Sequence, residues 1–78
     1  MTDFLEETQN DELKKYTGIA SDMQMDAKLR SQAIDLIGNI RTHEALLALL
    51  SLAANEKLGF NERDLSLKKA RDIIKASR

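Results

Sequence analysis

The 78-residue chain has room for one small domain spanning 1–78. It contains no cysteine and no proline and only three glycines. That excludes disulfides and thiolate metal sites and, with abundant Leu, Ala, Lys and Glu, predicts an all-α fold. A net charge of −1 gives no bulk field favouring nucleic acid or membrane, and the acidic N-terminus lacks an apolar signal region, so the expected location is cytoplasmic.

The first helix is expected from Asp3 to Tyr16. Asp3 and Glu6 have capping-box spacing, Lys14 and Lys15 suit the helix end, and Gly18 is placed as the stop. Its apolar residues, Phe4, Leu5, Leu13 and Tyr16, are few and spread over half the circumference. The pattern predicts a loosely packed element over residues 1–18, an arm suited to a partner chain, with Phe4 and Leu5 as candidate interface residues. A connector follows in which Ser21 and Asp26 are both usable N-caps. It holds Met23 and Met25, for which gap-filling or plain exposure is the default and adaptable contact the alternative.

The second helix is expected over Ala27 to Ile40, with Leu29, Ala33, Leu36, Ile37 and Ile40 on one face. Gly38 at the border of that face suggests close approach of another helix, since glycine inside a helix costs about 1 kcal/mol. Arg41-Thr42 makes a two-residue turn in which Thr42 caps the next helix and Glu44 occupies its first turn. So short a link predicts an antiparallel helix hairpin.

The third helix, Glu44–Asn55, carries five leucines and four alanines and is the segment round which the fold is expected to gather. Leu46, Leu49, Leu50 and Ala53 share one face, with Leu47 and Leu52 flanking it. A helix apolar nearly all round is expected to be central and buried, yet it is shorter than the roughly 20 apolar residues a bilayer needs. Gly59 is placed as a left-handed stop, with Leu58 and Phe60 folding back on the hairpin. Asn61 or Asp64 then caps a last helix, which carries Ser66, Leu67, Ala70, Ile73, Ile74 and Ser77 on one side. Lys68, Arg71, Lys75 and Arg78 form a candidate basic face on the other.

Charge is distributed unevenly. Residues 1–26 carry seven acids against two bases, and residues 63–78 carry six bases against two acids. The first expectation is a bundle whose two ends satisfy each other's charge; the sharper one is a basic docking face at the C-terminus.

Arg30, Ala33, Leu36, Gly38 and Ile40, the turn Arg41-Thr42, then Glu44-Ala45-Leu46 and Leu49 lie in the register of a HEAT-type repeat. The stretch of roughly 27–55 resembles the short HEAT-like repeats of the phycobilisome-lyase group. It departs from them at Ile37, which separates Leu36 from Gly38, and at Arg41-Thr42, where Gly-Asp is usual. The resemblance implies an α-hairpin unit used for protein binding or scaffolding, with no enzymatic residue to carry over. Three repeats usually make a solenoid core and this chain has room for about one and a half, so completion by dimerisation is implied.

No chemical constellation is evident. His43 is the only histidine and has no converging set of ligands, and neither a phosphate loop nor a calcium loop is present. The chain is therefore expected to be non-enzymatic, with no metal and no cofactor. The reading is a bundle of three to four helices round an antiparallel hairpin, acting as a protein–protein interaction or regulatory module. Its expected partner is itself, as a homodimer, or a larger protein, with Leu47, Leu52, Phe4 and Leu5 at the interface. The alternative is a small nucleic-acid-binding regulator using Lys68, Arg71, Lys75 and Arg78 on phosphates. The third helix cannot serve as a recognition helix, because it would present leucines to base edges.

Overall fold

In a computed structural model, residues 3–76 are described, with side chains from residue 11 onward. Four helices, α1 (Asp3–Ser21), α2 (Ala27–Ile40), α3 (His43–Ala53) and α4 (Phe60–Ala76), form an all-α bundle, and no strand occurs among the described residues. Leu13, Ala20, Ala33, Ile34, Ile37, Ala45, Leu49, Leu52, Leu58, Ala70 and Ile73 make one shared core. α1 packs on α2 and touches α3, whereas α4 packs on both α3 and α2.

α1 passes through Gly18 and ends at Ser21, five residues beyond the expected end. The extra turn buries Ala20 and half-buries Ile19, which outweighs the glycine's conformational cost. Thr17 Oγ1 donates to the Leu13 carbonyl at 2.7 Å and Ser21 Oγ to that of Thr17 at 2.8 Å, so the polar side chains of this turn bond within the helix. Asp22 then makes the turn into α2. Its carboxylate accepts from Gln24 N at 2.9 Å and its carbonyl from Met25 N at 3.0 Å. Asp26 occupies the N-cap position of α2 without a side-chain cap bond.

α2 has the expected bounds but not the expected face. Arg30, Ala33, Ile34, Ile37 and Gly38 are buried, while Leu29 and Leu36 are exposed. The helix is thus rotated by roughly one residue, about 100°. Two contacts favour that rotation. Arg30 gains an ion pair with Glu62 at 2.7 Å, and Gly38 lets α4 come close. A Cβ at position 38 would lie 2.9 Å from Cδ of Lys69, whose Nζ sits 3.3 Å from Asp35 Oδ1.

At the hairpin, Arg41 is left-handed (φ 60°, ψ 30°) and Thr42 Oγ1 accepts from Ala45 N at 3.1 Å, with Glu44 in the first turn as expected. α3 buries Ala45, Leu49 and Leu52 but leaves Leu47 and Leu50 exposed, so it is covered on one side rather than enclosed. It ends at Ala53 without a glycine stop. Gly59 has no positive φ, and the turn is made by Asn55 instead. The Asn55 side chain accepts from Lys57 N at 3.0 Å and its carbonyl from Leu58 N at 3.1 Å. Leu58 folds inward as expected, while Phe60 points away and opens α4 one residue before the earlier of its expected caps. The buried side of α4 is Glu62, Ser66, Ala70 and Ile73; Leu67 and Ile74, expected on that side, are exposed.

The charge that the sequence places at the two ends lies partly on residues 1–10 and 77–78, outside the described side chains. Among the described residues α1 and α4 make no contact, because α2 and α3 lie between them.

Candidate interaction surface

Leu47, Leu50 and Ala53 follow one another at i, i+3 spacing and form an apolar ridge along α3. Leu47 is 53% exposed and Leu50 40%, because Ala45, Leu49 and Leu52 already fill the side of α3 that faces the core. Beside Ala53 lies the start of α4. Arg63 Nε donates to the Ala53 carbonyl at 2.9 Å and ties the first turn of α4 to the last of α3. The peptide between Asn55 and Gly59 is held by the turn just described, and the Gly59 carbonyl accepts from Arg63 N at 3.1 Å. These bonds fix Phe60, 82% exposed, next to Ala53. Leu67, two turns on, continues the same line. Ala53, Phe60, Arg63, Asp64 and Leu67 line an open cleft of about 240 Å³.

Exposed apolar side chains thus stand on two adjacent helices, with Ala53, Phe60 and Leu67 brought together at the cleft and charge at its edge. Lys68 pairs with Asp64 at 3.3 Å, both largely exposed. Arg71 and Lys75 are exposed and make no ion pair among the described residues. The stripe expected from the sequence is therefore present at Lys68, Arg71 and Lys75, but Asp64 and Asp72 interrupt it, and Arg78 lies outside the described residues.

The expected interface residues separate. Leu47 is surface. Leu52 is 3% exposed and belongs to the core of the single chain. Phe4 and Leu5 lie outside the described side chains. The sequence reading missed Leu50, Phe60 and Leu67 as surface. The signal for Phe60 and Leu67 was their spacing of seven residues, a line along one side of α4 displaced from Glu62, Ser66, Ala70 and Ile73. A second group of exposed apolar side chains, Met23, Met25, Leu29 and Leu36, lies at the start and along the outer side of α2.

His43 is exposed at the start of α3. Among the described residues no three His, Cys, Asp or Glu side chains gather in a metal-binding set, and no helix is long and apolar enough to cross a membrane. No protein-family model, curated protein or solved structure matches the chain.

Proposed function

We propose that this protein is a non-enzymatic interaction module that self-associates, as a homodimer, through the apolar outer surface of α3 and α4. The observation that carries the reading is the exposure of Leu47, Leu50, Phe60 and Leu67 on two helices tied together at Arg63 and Ala53, with Phe60 and Leu67 lining one cleft. Scattered exposed leucines are ordinary on a small protein, whereas a contiguous apolar surface round an aromatic residue is the usual form of a binding site. The resemblance of 27–55 to a HEAT-type hairpin supports the same reading, because such units bury their remaining apolar face by stacking on a neighbour. Cytoplasmic location belongs to the same proposal.

The test is the molar mass of the full-length protein by light scattering over a range of concentrations. The wild type is expected to reach twice the chain mass. Leu47→Glu and Leu67→Glu are each expected to stay at one chain mass with an unchanged helical circular dichroism spectrum. A wild type that remains monomeric at every concentration overturns self-association.

A further inference from the structure

We propose that the second copy docks through α4 itself, antiparallel to its counterpart, with Leu67 of the two chains meeting on the two-fold axis. The inference rests on the self-association reading and names the contact that reading leaves open.

Its first support is an exposed apolar line on α4. Phe60, Leu67 and Ile74 are all exposed and recur every seven residues. At about 100° per residue they fall within about 40° of one another, displaced from the buried Glu62, Ser66, Ala70 and Ile73. A repeat of seven is the spacing with which one helix packs along another. Leu67 stands midway, about 10 Å along the helix from Phe60 and from Ile74. Reversing the helix about Leu67 therefore returns the same line with Phe60 and Ile74 exchanged. A surface that maps onto itself in this way is what a two-fold interface requires. The reversal brings Ile74 of the partner subunit to Phe60, at the cleft that Ala53, Phe60, Arg63, Asp64 and Leu67 line.

The second support is charge. Asp64 and Arg71 are both exposed and flank the apolar line on the same side, within about 20° of each other. They straddle Leu67, about 4.5 Å before it and about 6 Å after it. In the reversed pairing Asp64 of each chain faces Arg71 of the other, and the contact forms twice. A parallel pairing would set Asp64 against Asp64 and Arg71 against Arg71, so charge at the edge of the line selects the antiparallel orientation. Lys68 Nζ lies 3.3 Å from Asp64 Oδ2, an exposed pair of small worth that does not hold the carboxylate back from a second cation.

Charge exchange in full-length protein tests this by sedimentation equilibrium. Asp64→Arg and Arg71→Asp, each alone, set like charges against each other and are expected to self-associate about tenfold or more weakly than wild type. The double variant, Asp64→Arg with Arg71→Asp, is expected to associate within about threefold of wild type, because the exchange restores both pairs in the antiparallel arrangement and in no parallel one. If wild type associates and the single variants are unaffected, or the double variant stays as weak as they are, the contact is elsewhere and only this inference is overturned. If wild type is monomeric throughout, the self-association reading falls with it. A second readout leaves Asp64 and Arg71 in place. The chain has no cysteine, so Leu67→Cys carries a single thiol, placed on the two-fold axis. In glutathione redox buffer it is expected to form a disulfide-linked dimer about tenfold or more faster than Asp72→Cys, whose thiol lies about 140° round the helix from position 67. Equal rates overturn the proposal, whether or not the charge variants fold.

Discussion

Among the described residues Arg30 and Glu62 are the two charged side chains the fold takes inside, and each needs the other. Arg30 Nε donates to Glu62 Oε1 at 2.7 Å, and its Nη1 donates to the Met25 carbonyl, so one guanidinium ties the entry of α2 to the first turn of α4. Gly59 belongs to the arrangement, because a Cβ there would lie 2.6 Å from Glu62 Oε2. Removing one partner strands a buried charge, and Arg30→Met is expected to cost about 3–5 kcal/mol in urea unfolding. The double variant with Glu62→Leu is expected to recover most of that loss, since two apolar side chains need no pairing. Equal losses in the single and double variants would show that packing, not charge, decides the site. The glycines offer a second comparison. An added Cβ at Gly18 meets nothing within 4 Å, so Gly18→Ala is expected to stabilise by about 0.5–1 kcal/mol through helix propensity. At Gly38 the same methyl meets Lys69 Cδ at 2.9 Å and its Cβ at 3.2 Å, and the latter cannot swing away. Gly38→Ala is expected to lose about 1 kcal/mol net, because overpacking between α2 and α4 exceeds the propensity gain. Thermal unfolding of both variants should show shifts of opposite sign.

The joint between α2 and α3 is where local sequence and structure agree most closely. Thr42 caps α3 through Ala45 N, a bond read from a short polar residue placed directly before an apolar run. Thr42→Ala is expected to cost about 1 kcal/mol in denaturant unfolding. Arg41, one residue earlier, adopts a left-handed conformation that glycine accepts without strain. Arg41→Gly is expected to raise stability by about 0.5–1 kcal/mol, and a loss would mean that the Arg41 side chain holds the joint. Elements governed by remote partners were less legible. The face of α2 is set partly by Arg30, whose partner Glu62 lies 32 residues away, and nothing near Arg30 in sequence marks it as buried. Gly59 has the position of a left-handed helix stop, but Asn55 makes the turn four residues earlier through its side chain. α1 outran its glycine because Ala20 reaches the core, a tertiary gain larger than a local propensity cost.

For the whole molecule, the helix count and the hairpin were legible because apolar periodicity and caps are local signals. The order of packing was not, since charge totals alone cannot say that α2 and α3 separate the acidic helix from the basic one. The candidate surface was half legible for the same reason. A leucine-rich helix announces more apolar area than a small bundle can cover, but which leucines stay outside depends on the helix that lands on it. Leu52 and Leu47, similar from sequence, end at 3% and 53% exposure. That difference gives the last prediction. A domain of this size holds roughly 4–12 kcal/mol of stability. Leu52→Glu places a carboxylate in the core and is expected to unfold the chain at any concentration. Leu47→Glu leaves the core intact, so its effect should appear only where copies meet. Association that involves only folded chains adds stability as concentration rises. The wild-type melting temperature is therefore expected to climb with protein concentration. For Leu47→Glu it should stay flat, at the value wild type approaches on dilution. Parallel slopes for the two proteins would place Leu47 outside any interface, and a flat wild type would mean that the exposed surface of α3 and α4 is not used between copies of this chain.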